Sequence, residues 1–218
     1  MILVLVPMKK NQNVFLKGHF LITLQKMQRP GVEIVVDSRG DGDNGIRSLE
    51  ERSRHVGDVM NSLIDDYLKP YHSHVLMMDS DLDEFPEDLP FQLMDTAKGK
   101  AIVAPMVLSA WGYPRYYDVA GFVENGKWAR MWPPYFDQKE RIIELDSVGC
   151  CYMVPADILK GGARLEYVQG FTQHYGLCKK AKEMGFKVKC DTGLKVRHAD
   201  LTKYGEQIHG LPSDRGNK

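Results

Sequence analysis

Four short apolar runs constrain this chain more than any other feature. They are Ile2 to Val6, Val32 to Val36, His74 to Met78 and Ala101 to Leu108, and all are rich in branched or long aliphatic side chains. Runs of this length, apolar at nearly every position apart from Glu33 and His74, suit strands buried on both faces of a parallel sheet. Three of them lead into segments with helical spacing: Asn13 to Met27 with Asn13 as N-cap, Ser48 to Leu68, and Phe85 to Asp95. In the second of these, Leu49, Val56, Val59, Met60, Leu63, Ile64 and Tyr67 recur on one face, and Ser48 with Glu51 forms a capping box. Strand alternating with helix predicts an α/β fold with helices packed on the faces of a mostly parallel sheet.

The rest of the chain is less regular. Ser147 to Val154 and Lys187 to Cys190 read as strands, and Gln173 to Met184 reads as a helix stopped by Gly185. The polar, glycine-rich stretch Ser38 to Gly45 has no core of its own and is expected to touch ligand. With 218 residues, one domain is expected, with a polar tail over 211–218. Lys plus Arg and Asp plus Glu both number 29, so the net charge of +0 gives no general attraction to nucleic acid or anionic lipid. Cys150, Cys151, Cys178 and Cys190 form no C-x-x-C pair and read as free thiols of a reducing compartment. The apolar start ends at Pro7, and no run approaches the roughly 20 residues of a membrane span, so a soluble, cytoplasmic protein is expected.

Ligands of open α/β sheets bind at the carboxyl ends of the strands. Three such ends carry Pro7, Asp37 and the run Asp79-Ser80-Asp81-Leu82-Asp83. Alternation along an extended chain would point Asp79 and Asp81 the same way, and two facing carboxylates repel unless a cation lies between them. Oxygen ligands of this kind suit Mg²⁺ or Mn²⁺. A calcium loop of the EF-hand type would need Gly and Glu where Glu84 and Pro90 stand, and an aspartyl-phosphate enzyme would not place Leu82-Asp83 after its second Asp. Asp41-Gly42-Asp43 repeats the spacing with no strand before it and is read as a chance copy.

From here the chain resembles GT-A glycosyltransferases of the inverting family 2-like and mannan-polymerase groups, over roughly residues 1 to 200. The segments concerned are Val4 to Pro7, Val35 to Asp41, Arg52 to Gly57, Val75 to Asp81, Phe85 to Leu89, Ser147 to Cys150, Gly176 to Ala181 with Gly185 to Val188, and Val196-Arg197-His198. The resemblance implies a GT-A, Rossmann-like domain over 1–210, with a nucleotide-sugar half (1–108) and an acceptor half (109–210). It implies a nucleotide-diphosphate sugar donor, UDP-linked, and Mn²⁺ or Mg²⁺ as cofactor. Asp37 would meet the base or ribose beside Pro7, and Asp79 the ribose or a metal-bound water. Asp81 and His198 would ligate the metal together with Asp79, and Arg54 would reach the diphosphate.

One departure stands out. Where inverting members carry an acid before the Leu-Cys helix, this chain has Gln173-His174. His174, with an ordinary pKa of about 6.5, is the candidate base. The alternatives are Glu166, or a retaining enzyme that needs no base. Trp111, Tyr113, Tyr116, Tyr117, Trp128 and Trp132 fall where such enzymes shape the acceptor pocket. The acceptor could be a glycan, a protein or a modified DNA base, the last through a basic strip of Lys179, Lys180, Lys182, Lys187 and Lys189. Two other functions compete. A sugar-nucleotide pyrophosphorylase would want glycines after the first strand, where Pro7 to Asn13 has none. A degenerate, binding-only protein would draw its support from Gln173-His174.

Overall fold

The computed structural model describes residues 1–8, 14–39, 48–109, 115–116, 121–125, 127–129 and 141–199. In chain order the elements are β1 (Ile2–Pro7), α1 (Val14–Lys26), β2 (Val32–Asp37), α2 (Leu49–Tyr67), β3 (His74–Met78), β4 (Leu82–Glu84), α3 (Leu89–Ala97) and β5 (Ala101–Ser109). They continue with β6 (Arg115–Tyr116), β7 (Phe122–Glu124), β8 (Lys127–Ala129), β9 (Ile142–Glu144), β10 (Cys151–Pro155), α4 (Ala156–Lys160), α5 (Gln173–Glu183) and β11 (Lys187–His198). The sheet runs β2-β1-β3-β10-β5-β11-β4, with β6 on β5 and β9 on β11, while β7 and β8 pair by themselves. β2, β1, β3, β5 and β11 point one way, and β10 and β4 run against them.

Period-two alternation sorts the strand side chains into two cores. Leu3, Leu5, Val75, Met77, Ile102 and Ala104 face α2, α4 and α5, where Met60, Leu63, Ile158, Leu177 and Ala181 meet them. Ile2, Val4, Val6, Leu76, Met78 and Val103 face α1 and α3, meeting Phe20, Leu24, Leu89 and Leu93. Apolar side chains buried on both faces explain why these strands read as unbroken apolar runs. The result is a mixed α/β single domain with a mostly parallel central sheet flanked by helices. Among the described residues no helix is long and apolar enough to cross a membrane, and all four cysteines are free and buried.

Most expected elements are present. The box at Ser48 and Glu51 forms in both directions, and Gly185 at φ +87° ends the turn after α5. Four expectations need correcting. β2 is the half-exposed edge strand of the sheet, with Val36 at 38% exposure, because among the described residues only β1 pairs with it. α3 starts at Leu89 rather than Phe85, with Pro90 in its first turn, where a missing N–H costs nothing. The strand expected from Ser147 begins at Cys151. The strand expected over Lys187 to Cys190 continues to His198 across a bulge between Asp191 and Lys195, which its turn-like Asp191-Thr192-Gly193 conceals in the sequence. Asn13, the loop from residue 40 to 47, Trp111, Tyr113, Tyr117, Trp132 and the tail from residue 200 lie outside the described residues, and Tyr116 and Trp128 are described as strand positions alone.

Two close approaches shape the α2–α5 side. A Cβ on Gly57 would lie 2.7 Å from the Leu165 carbonyl oxygen, and one on Gly176 2.0 Å from that of Glu166. These glycines let the chain around Leu165 pass between the two helices. Asn61 pairs with Leu165 as a neighbouring strand would: Leu165 N donates to Oδ1 at 2.9 Å, and Nδ2 donates to the Leu165 carbonyl at 3.0 Å.

Candidate functional site

The strand register brings the three expected strand ends to one rim. Pro7 pairs with Asp37, and Leu5 pairs with Met77, two residues before Asp79. Met8 N donates to the Asp37 carbonyl at 2.9 Å, and Asp79 N donates to the Cys150 carbonyl at 2.8 Å. The edge of β1, the end of β2 and the acidic turn after β3 therefore share one level of the sheet.

The acidic turn meets the end of β11. His198 is buried, and its Nε2 lies 3.3 Å from Asp81 Oδ1. Its Nδ1 lies 3.2 Å from the Ala199 carbonyl, and Ala199 N donates to the Asp81 carbonyl at 2.8 Å. Burial pushes the imidazole pKa down, but the Asp81 carboxylate, the Ala199 carbonyl and the charge of Asp79 outweigh it, and the net shift is upward. The fold brings together Asp81 and His198, residues 117 positions apart in the chain, with Asp79 near enough to act on the ring. No group of three or more His, Cys, Asp or Glu side chains among the described residues converges as a ready metal cage.

Asp37 sits at the same rim but is already engaged. Arg39 NH2 donates to its Oδ2 at 2.7 Å, Tyr67 Oη to the same oxygen at 3.1 Å, and Arg39 N to Oδ1 at 2.8 Å. The Arg39 guanidinium is the main cause that holds the carboxyl down at about 2, against burial, with the Arg39 amide and Tyr67 hydroxyl adding to it. Arg39 is in turn held by Ser62 and Asp66 on α2. Arg54 is 59% exposed, donates to Glu50 Oε1 at 2.8 Å and lies 5.1 Å from the centre of the Tyr167 ring. None of these partners of Arg54 belongs to the acidic turn.

His174, in the first turn of α5, has its Nδ1 3.1 Å from the Tyr152 hydroxyl, with the rings edge to face. Tyr152 pairs with Met77 across β10 and β3, which places His174 beside the strand that leads into Asp79. The ring keeps some surface yet is densely surrounded by protein, and that burial lowers its pKa to about 4. Gln173 is buried, and Glu166 is exposed. The basic strip is interleaved with acids: Lys182 pairs with Asp146, Lys187 with Glu144 and Lys180 with Glu183.

Sequence reasoning missed two partners of this site, Tyr152 and the Asp83–Arg197 pair. Arg197 Nε donates to Asp83 Oδ1 at 2.8 Å and NH2 to Oδ2 at 3.0 Å. A third acid two residues after Asp81, and an arginine beside His198, were the available signals.

The chain matches no protein-family model and no curated protein by sequence. Solved structures do resemble it. GalNAc-T7, crystallised with UDP, GalNAc and Mn²⁺, superposes with a TM-score of 0.56 at 12% identity, over 91% of this chain and 43% of that one. A mycobacterial protein gives 0.52 at 13% identity over 98% and 76%, and A197 from STIV gives 0.50 at 12% over 91% and 85%. This chain thus spans less than half the length of GalNAc-T7. At such identities the likeness is one of fold, and the fold is like that of the GT-A glycosyltransferases.

Proposed function

We propose that this chain is a glycosyltransferase that takes a sugar from a nucleotide-diphosphate donor, UDP-linked, and delivers it to a hydroxyl acceptor, with residues 1–108 holding the donor and residues 109–210 the acceptor. The observation that supports it most is the contact of Asp81 with His198 at the rim of a GT-A-like sheet, where a buried imidazole has its pKa raised by two carboxylates. Such a pair attracts positive charge. The donor set of one carboxylate and one imidazole, with Asp79 beside it, fits Mn²⁺ or Mg²⁺, which leave several positions to water and phosphate oxygens. A cation held there would neutralise the diphosphate leaving group. Asp37 and Pro7 would border the nucleoside, and Arg54 would have to leave Glu50 to reach a phosphate.

In the reaction the bond from the sugar's anomeric carbon to the diphosphate breaks, and one to the acceptor oxygen forms. The acceptor's proton must go to a base. His174 is neutral at pH 7 and would accept a proton through Nε2 when Nδ1–H donates to the Tyr152 oxygen. Its pKa of about 4 makes it a weak base. That weakness is also what favours the competing reading, a protein that binds a sugar nucleotide without turning it over. Three of the five lysines of the strip, Lys180, Lys182 and Lys187, are paired with acids, which weakens the case for a DNA acceptor.

Thermal unfolding with UDP, GDP, CDP, ADP and TDP, each with and without Mn²⁺, tests the donor site. A specific nucleotide at about 100 times its Kd stabilises by about 2.7 kcal/mol, a shift of several degrees. We expect a manganese-dependent shift with UDP that Asp81→Ala abolishes. No shift with any nucleotide would overturn the metal–diphosphate reading, and binding without hydrolysis or transfer of UDP-sugars would favour the binding-only protein.

A further inference from the structure

The contact between Asp81 and His198 depends on an irregularity in the sheet. β4 and β11 are antiparallel, and Arg197 pairs with Glu84. A regular ladder would next set His198 against Asp83. Instead His198 pairs with Leu82, so Asp83 is an extra residue on the β4 side. The bulge advances His198 by one place along β4, toward Asp81. In a regular ladder His198 would sit one residue farther back, and side chains along the strand would swap faces.

The extra residue is gripped by the residue before His198. Asp83 is 3% exposed, and both its oxygens accept from Arg197, Nε to Oδ1 at 2.8 Å and NH2 to Oδ2 at 3.0 Å. This is the two-bond fork that arginine makes with a carboxylate and lysine does not. Arg197 NH2 also lies 2.6 Å from Glu84 Oε1, and His19 Nε2 on α1 lies 2.9 Å from the Asp83 carbonyl. Beyond the bulge, the bond from Ala199 N to the Asp81 carbonyl takes up the shifted pairing. We infer that Asp83 and Arg197 are positioning residues: their fork holds the one-residue bulge that carries His198 to Asp81. The inference rests on the reading of Asp81 and His198 as cation ligands, and neither Asp83 nor Arg197 is itself a ligand.

The test uses the full chain with Arg197→Lys, which keeps the charge and loses the fork, and Asp83→Asn, which keeps the shape and loses the charge. Mn²⁺ binding without nucleotide is titrated by electron paramagnetic resonance, and the ring-nitrogen shifts of His198 are read by NMR in the metal-free chain. Outer partners of metal ligands typically change affinity by roughly 10- to 100-fold. We expect a loss of at least about tenfold in Mn²⁺ affinity in both variants. The His198 ring shifts should move toward those of Asp81→Ala. Wild-type affinity and unchanged ring shifts in both variants would overturn the inference. If the wild-type chain itself binds no Mn²⁺, the cation reading falls separately, and the ring shifts alone decide whether the fork holds the pair. Should one variant not fold, the other supplies both readouts.

Discussion

Two Asp–Arg forks bear on β11, one at its own bulge beside β5 and one at the bulge of β4 that faces it, and they differ in what depends on them. At the first bulge, fully buried Asp191 accepts from Arg141 Nε at 3.0 Å and NH2 at 3.2 Å, from Thr96 Oγ1 of α3 at 2.9 Å, and from Gly193 N at 3.0 Å. At the second, the Asp83 side chain accepts both its bonds from Arg197, the one partner it has among the described residues. Measured along β5, the two sites are separated by the run from Pro105, opposite Asp191, to Ser109, opposite His198, about 13 Å at strand rise. The first fork ties a helix, a strand and the residue before β9 together, far from the rim. The second ties β11 to its neighbour β4, at the rim. An acid shared by a helix, a strand and a distant arginine anchors the fold, whereas a fork between two neighbouring strands sets their local register.

The sharpest way to break this contrast is to remove the first carboxylate. Asp191→Asn leaves Arg141 and a buried cluster of donors short of acceptors, and should cost about 2–4 kcal/mol. Urea unfolding measures the loss. Nucleotide and Mn²⁺ affinity, measured well below the unfolding midpoint, should stay at the wild-type value. A variant that keeps its stability and loses Mn²⁺ instead would reverse the roles assigned to the two forks.

His174 gives the next largest effect, and it depends on pH. Its pKa falls from about 6.5 unfolded to about 4 folded. The unfolded chain therefore binds the extra proton first as pH drops. The neutral ring's contribution is complete above pH 6.5 and is lost progressively down to about pH 4, on the order of 2–3 kcal/mol in all. His174→Phe should flatten that limb of the stability curve. If His174 is also the base, turnover in the wild type should hold from pH 7 down toward 4, without the fall near 6.5 that an ordinary histidine gives. His174→Asn should then cost about 10²- to 10⁴-fold in kcat. A retaining enzyme, or one using Glu166, would keep its rate.

The same contrast explains what the sequence disclosed. β1, β3 and β5 were legible because burial on both faces leaves only apolar residues, and α2 because Ser48 and Glu51 mark its start. The rim positions Pro7, Asp37 and Asp79 followed from where those runs stop. The rest lies in long-range pairing. β11 hides behind Asp191-Thr192-Gly193, which looks like a turn and is a bulge locked by Arg141, 50 residues earlier. The engagement of Asp37 by Tyr67, of His174 by Tyr152 and of Asp83 by Arg197 joins residues 22 to 114 apart, and no local pattern records such partners. Arg54 shows the reverse case: a local i,i+4 partner, Glu50, was present in the sequence and governs its position.

The smallest effect tests a third Arg–Asp contact, between Asp37 and Arg39, at the nucleotide side of the rim. Here the partners are two residues apart and lie at the surface, so the pair resembles neither fork. The Asp37 carboxyl is held at about 2 in the fold against 3.8, so the folded state resists protonation. Its contribution is therefore present above about pH 4 and is lost as pH falls through 2. Solvent screening at this exposed edge reduces it to the order of 1 kcal/mol or less. Arg39→Gln should thus lower stability at pH 7 by no more than that, and by almost nothing at pH 2. Its larger consequence should be on ligand binding. Freed of its arginine, Asp37 has acceptor capacity to offer a ribose or base, and UDP affinity should change while Mn²⁺ affinity measured without nucleotide stays constant. A change in Mn²⁺ affinity alone would mean that this rim contact also reaches Asp79, and would join the two sides of the site that Asp37 and His198 otherwise mark separately.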